Sequence, residues 1–163
     1  MHDSTSEPIE SNATPPRGKS PLGVVFVVAA IAIGAAILFR GFGGQAAPTP
    51  EYLPVTTDLA SVDLSGDMPV VAVVTADWCG PCQKLKKDSL ADEGVRTYLE
   101  GNARTVMIDG TDTNDPTVRA SLEALQVTAF PSTIVLRDGK PAAMLRGYAG
   151  PEKYRGWLEA NLN

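Results

Sequence analysis

The sequence is poor in the residues that build metal centres: its 163 residues include two cysteines and a single histidine, His2, in an N-terminal tail. A zinc site takes about four Cys, His or carboxylate ligands at set spacings, so none is expected and no metal is assigned. No His follows Cys82, which argues against attachment of a c-type haem, and no Gly-rich phosphate loop is present, so no organic cofactor is expected. Positive charge is scarce as well. Lys and Arg number 14 against 19 Asp and Glu; residues 1–50 balance at 3 and 3, and the whole net charge of -5 falls on residues 51–163. An acidic domain of this kind is a poor nucleic-acid binder. There is no internal repeat, and the length suits one domain plus an extra segment.

Residues 1–21 are rich in Ser, Thr, Pro and charge and lack an apolar period, the signature of a disordered tail, here expected in the cytoplasm. Residues 22–39 read LGVVFVVAAIAIGAAILF, 18 residues without a charge. As a helix they extend about 27 Å, against a hydrocarbon core of roughly 30 Å. A transmembrane helix is expected there. The alternative is a cleaved signal peptide with the small-residue site Gly44-Gln45-Ala46, although such signals carry a shorter apolar region of about 7 to 15 residues near the N-terminus. Arg17 and Lys19 before the apolar run outweigh Arg40 after it, which puts the tail inside and the rest of the chain on the periplasmic or other extracytoplasmic side. Residues 40–57, with GFGG and APTPEYLP, read as a flexible linker to a domain over 58–163.

Within that domain, residues 69–76 (PVVAVVTA) form a nearly continuous apolar run, the pattern of a strand buried on both faces. The run leads directly into Asp77-Trp78-Cys79-Gly80-Pro81-Cys82. A helix is expected over about 81–90, with Cys82, Leu85 and Ser89 on one face and Lys84, Lys86 and Lys87 mostly solvated; the alternative for these lysines is a raised potential near Cys79 that helps stabilise its thiolate. A second follows with Val95, Tyr98 and Leu99 inward. Residues 104–109 (RTVMID) read as a strand, and Asp115-Pro116 as the cap and first turn of a helix ending near Leu125. Residues 132–136 (STIVL), the tight turn Asp138-Gly139 and residues 142–146 make a hairpin. Gly150-Pro151 opens a last helix with Tyr154, Trp157, Leu158 and Leu162 on one face. The fold class is therefore α/β, a central mixed β-sheet flanked by helices and preceded by one transmembrane helix. The acidic stretch at 109–115 (DGTDTND) lacks the EF-hand spacing and closing Glu, so it reads as a solvated loop.

Two cysteines three positions apart cannot staple distant parts of a fold, so they point to chemistry. Disulfide exchange needs one accessible cysteine that ionises near neutral pH and a second to resolve the mixed disulfide. Cys79, between a strand end and a helix start, would have its thiolate stabilised by unpaired amides and the positive end of the dipole. Pro81 suits the first helical turn. Cys82, one turn inward, is the buried resolving partner. A pair of small buried residues or half a metal site is the other reading, but no second CxxC or His cluster completes a metal site. Trp78 either offers apolar surface to a flexible partner or shields the disulfide. Phe130 either lines the groove or is a core aromatic, and the extended backbone before Pro131 can pair with a substrate strand.

Trp78-Cys79-Gly80-Pro81-Cys82 resembles the active-site motif of thioredoxins, and further markers stand in order. Phe130-Pro131 resembles the loop in which a proline after a cis peptide bond lies against the active site. Asp138-Gly139 resembles the hairpin turn, and Gly147 the glycine near the substrate groove; the resemblance covers roughly residues 59–162. Ala76-Asp77-Trp78-Cys79 followed by Lys84-Leu85-Lys86-Lys87, and DGTDTNDP at 109–116, are most similar to the C-terminal domain of the thiol:disulfide interchange protein DsbD and related membrane-anchored thioredoxin-like proteins. The resemblance implies a thioredoxin-like fold with catalytic Cys79 and Cys82 and a substrate groove of Trp78, Gly80, Pro81, Phe130 and Pro131. It also implies protein disulfides as substrates and a membrane or soluble thiol as electron donor. One position departs from that pattern. Those families carry a buried Asp six residues before the first cysteine, where this chain has Val73, and Asp77 reads as a charge at the rim.

The expected function is that of a membrane-anchored oxidoreductase reducing disulfides in envelope or secreted proteins, with the Cys79-Cys82 dithiol as its own electron carrier. An oxidase or isomerase of the same fold, and a binding or chaperone module without turnover, are the alternatives.

Overall fold

Val70–Thr75 are six consecutive buried residues, too apolar to face water on either side, and they form the central strand of the sheet. The computed structural model describes residues 46–163. Its elements run β1 (Val55–Thr56), a 3-10 turn (Leu59–Ser61), β2 (Val70–Thr75), α1 (Gly80–Asp88), α2 (Glu93–Asn102), β3 (Arg104–Asp109), α3 (Pro116–Ala124), β4 (Ser132–Arg137), β5 (Lys140–Arg146) and α4 (Pro151–Leu162). The sheet order is β1-β3-β2-β4-β5. β3 pairs parallel with β1 and β2, whereas β4 pairs antiparallel with β2 and β5, so the sheet is mixed.

Alternation along β2 sends its side chains into two cores. Val71 and Val73 join Leu85 of α1, Leu99 of α2 and Leu158 of α4 on one face. Ala72 and Val74 join Ile108, Ile134, Leu125 and the turn residue Leu59 on the other. Burying a Leu or Val stabilises by roughly 1.5–3 kcal/mol, so this layered core dominates the energetics. The helices begin where the sequence supplies caps. Asp92 accepts the Val95 N–H at 2.9 Å, and Asp115 accepts those of Thr117 and Val118 at 2.7 and 3.1 Å. The Val118 amide first, then that of Thr117, holds the Asp115 carboxyl below its ordinary value. Asp138 and Gly139 both take positive φ, 52° and 71°, the geometry of a two-residue hairpin turn that suits Asp-Gly.

Three expectations need correction. The helix expected over 81–90 ends at Asp88 with Ser89 as its cap: the Leu90 N–H returns to the Leu85 carbonyl at 3.0 Å, five residues back, and the Ser89 hydroxyl donates to the Ala149 carbonyl at 2.5 Å, joining α1 to the loop before α4. Lys86, expected to be solvated, is buried; its ammonium is 3.7 Å from Asp77 Oδ1. The segment expected as a flexible linker packs on the domain over its described part, 46–57. Ala47 and Leu53 are buried, Tyr52 donates to the Leu90 carbonyl at 2.8 Å, and Val55–Thr56 add an edge strand to β3. Interspersed prolines hid the two-residue strand, which is too short to show a period. The expected tail over 1–21, transmembrane helix over 22–39 and first part of the linker lie outside the described residues. Among the described residues, no helix is long and apolar enough to cross a membrane.

Tyr154 anchors α4 to the sheet: it is fully buried, and its hydroxyl lies 3.0 Å from that of Thr133. Burial pushes its phenol above the ordinary 10.0, and burial followed by the Glu100 charge does the same to Tyr52. An acid whose folded pKa is raised contributes stability that is fully present below its unfolded pKa and lost as pH rises past it. Urea unfolding should therefore show a stability that falls above about pH 10. Tyr154→Phe should cost about 1 kcal/mol at neutral pH, from the lost hydrogen bond, and should lessen the alkaline fall to the part that Tyr52 contributes.

Candidate functional site

Four residues, Ala76 to Cys79, connect the end of β2 to the start of α1, and three neighbours fix their path. The Gly110 N–H donates to the Thr75 carbonyl at 2.8 Å, and the Asp77 N–H donates to Thr111 Oγ1 at 3.0 Å. The Gln83 side-chain amide donates to the Ala76 and Asp77 carbonyls at 3.2 and 3.1 Å. Thr111 is itself held by Asp109, whose Oδ1 accepts its N–H at 2.9 Å and its hydroxyl at 2.5 Å. This turn explains part of the acidic loop: Asp109 and Asp115 serve backbone geometry. Among the described residues, no group of acids, His and Cys could hold a metal.

Cys79 and Cys82 form a disulfide across the first turn of α1, with their Cα atoms 5.2 Å apart. Cys79 is the N-cap, and its sulfur accepts the Cys82 N–H at 3.2 Å. The same amide and the positive end of the α1 dipole thus face the sulfur of the cap residue. Access is unequal: Cys79 is 5% exposed and Cys82 is fully covered. Cys79 is thus less open than expected, because Phe130 packs against the two cysteines and Ala76. Gly80 and Pro81 are exposed beside it.

The sequence-predicted residues meet around this turn. Trp78 is 62% exposed, its ring edge-on to Phe130 with centroids 5.3 Å apart, and its indole N–H donates to the Thr111 carbonyl at 2.9 Å. The Phe130-Pro131 bond is cis, and the Pro131 carbonyl accepts the N–H of Gly147 at 2.7 Å. Gly147 has φ 81°, which explains a glycine there. Beyond it, Tyr148 donates to Asp88 at 2.8 Å, and this bond raises the phenol above its ordinary value. Val73 lies in the apolar core, so no carboxylate replaces the missing Asp at that position.

Sequence reading missed Gly110, Thr111 and Gln83, and it took Lys86 for a solvated residue. An Asx turn at the end of β3 was legible in Asp109-Gly110-Thr111; the role of Gln83 left no local signal.

The profile of the thioredoxin-like domain matches residues 55–161. The chain belongs to the thioredoxin-like domain family. Thioredoxin-like domain proteins similar to it include the thioredoxins of Mycobacterium tuberculosis (strain H37Rv) and Mycobacterium bovis, each 31% identical over 87 residues, covering 53% of this chain and 68% of the relative. Among solved structures, the reduced C-terminal domain of DsbD from Neisseria meningitidis is 31% identical, with a TM-score of 0.52, and covers 58% of this chain and 82% of that one. A thioredoxin from Thermus thermophilus, 17% identical with a TM-score of 0.55 over 67% of this chain and 86% of that one, shares the fold. The chain is a thioredoxin-like oxidoreductase whose CxxC disulfide is equipped for dithiol/disulfide exchange.

Gly110 is a tight point in this thioredoxin-like site, since a Cβ there would lie 2.6 Å from the Phe130 ring. Gly110→Ala should therefore displace Phe130 and cost on the order of 1–3 kcal/mol. The displacement should also change the near-ultraviolet signal of Trp78, which rests on the same ring.

Proposed function

We propose that this protein is a membrane-anchored reductase of disulfides in envelope or secreted proteins, with Cys79 as nucleophile and Cys82 as resolving thiol. The observation that carries the reading is the disulfide at the N-terminus of α1, its more accessible sulfur on the cap residue and the cis Pro131 loop beside it. The Cys79 thiolate attacks a substrate disulfide, forming a mixed disulfide and releasing one substrate sulfur as thiolate. Cys82 then loses its proton and attacks Cys79. The Cys79-Cys82 disulfide forms, the bond to substrate breaks, and the second substrate sulfur leaves with the electron pair. Two electrons and two protons pass to the substrate, and a membrane or soluble thiol donor restores the dithiol.

Trp78, Gly80, Pro81, Phe130 and Pro131 are the surface offered to the substrate. Trp78 supplies exposed apolar area, and the backbone ahead of Pro131 supplies strand-like hydrogen bonds. Residues 22–39 supply the anchor, with the N-terminus cytoplasmic and the domain periplasmic or otherwise extracytoplasmic. The charge-free run and the flanking Arg17 and Lys19 support that arrangement. An oxidase or isomerase of the same fold is the second reading, favoured by the apolar Val73 and the buried Lys86 near Cys82.

Cys79→Ser should abolish reduction of a protein disulfide such as insulin; activity retained in that variant would contradict the exchange mechanism. Equilibrated against glutathione and dithiothreitol, the pair should show a potential near or below about -250 mV, whereas a value of roughly -120 to -180 mV would move the protein to the oxidase or isomerase class.

A further inference from the structure

Lys86 is the one charged side chain among the described residues that is buried, at 5% exposure. Lysine is rarely covered without a partner or a function. It lies four residues after Cys82 on α1, so the two share a helix face with Cβ atoms about 5–6 Å apart. Helical side chains lean toward the N-terminus, and this one does, since its Nζ reaches within 3.7 Å of Oδ1 of Asp77, two residues before Cys79. Its ammonium therefore lies beside Asp77, in the turn that leads into the cap residue Cys79.

The N-terminal segment helps cover it. The Ala47 N–H donates to Gln83 Oε1 at 2.5 Å, and a cavity of about 580 Å³ between residues 48–52 and α1 and α2 has Lys86 in its wall. Glu51, Tyr52, Lys87 and Arg96 are the other titratable or charged groups facing that cavity. Arg96 is paired with Glu100 at 3.1 Å, and Lys87 is exposed. Asp77 is 56% exposed, so water screens its carboxylate far more than it screens the covered ammonium.

We infer that Lys86, packed beside Asp77, is a positioning residue of the redox centre: a buried cation that stabilises the thiolate forms of Cys79 and Cys82 where Val73 supplies no acid. The inference rests on the exchange function proposed above. In the resolving step the Cys82 S–H bond breaks and its proton passes to solvent and on to the leaving substrate sulfur. The cation makes that loss easier without a base. It also favours the reduced, charged pair over the neutral disulfide, and so makes the pair a better electron acceptor than it would otherwise be.

The full chain in detergent carries only these two cysteines, so alkylation rate against pH and redox equilibrium with glutathione report on them alone. Lys86→Met should raise the apparent thiol pKa by about half a unit or more and shift the equilibrium toward the disulfide by about threefold. Asp77→Asn, which removes the anion and keeps the backbone bonds, should move both quantities the opposite way, and Lys86→Arg should leave both near wild type. Shifts of one sign in Lys86→Met and Asp77→Asn, or no shift in either, would overturn the inference, because loosened packing does not reverse sign with charge. Should Lys86→Met fail to fold, Asp77→Asn at its exposed position decides alone: a pKa that rises or stays fixed overturns it. Wild-type protein that titrates as described but reduces no protein disulfide would contradict the exchange function and leave the electrostatic role standing.

Discussion

The chain from Thr75 to Gly80 must leave a strand covered on both faces and enter a helix within four residues, and the chemistry of the protein depends on that junction being held. β2 cannot shift, since Val71 and Val73 fill one core and Ala72 and Val74 the other. A register slip of one residue would exchange these sets and place the wrong volumes on each side. α1 cannot rotate, since Leu85 and Cys82 are both fully covered. The cap position between them falls to Cys79. Its sulfur then occupies the place usually taken by a Ser or Asp oxygen, facing amide N–H groups that favour negative charge.

Around that junction the rest of the site is a set of mutual supports. Asp109 fixes Thr111, which fixes both the backbone of Asp77 and the indole of Trp78. Gly110 leaves room for Phe130, which closes over the disulfide and meets Trp78 edge-on. Pro131 receives the Gly147 N–H, and two residues later the Ala149 carbonyl accepts the Ser89 hydroxyl at the far end of α1. The loop before α4 therefore touches both the proline loop and the end of the redox helix. Such a site resists motion of its sulfurs while leaving Trp78, Gly80 and Pro81 open to a partner.

The strands and helices were legible because each has a strong local cause: an unbroken apolar run for β2, Asp-Pro for the start of α3, Asp-Gly for the hairpin between β4 and β5. The cysteines and the Phe130-Pro131 loop were legible because their chemistry is tied to residue type. What the sequence hid depends on tertiary contact. Residues 46–57 carry Pro and little period, yet Ala47 and Leu53 are buried because the domain offers them an apolar seat. Lys86 has the composition of a solvated position, yet it is buried, with Asp77 on one side and the cavity wall shared with residues 48–52 on another. Gly110 looks like any loop glycine until Phe130 arrives from a distant part of the chain.

The most direct test of the account uses Cys82→Ser and Cys79→Ser chains, each mixed with a disulfide-bonded protein and analysed by peptide mass mapping. Cys82→Ser should accumulate a covalent adduct through Cys79 that dithiothreitol releases, while the fully covered Cys82 of Cys79→Ser should form little or none. An adduct through Cys82 that forms as fast as one through Cys79, or no adduct in either variant, would contradict the assignment of attacking and resolving thiols.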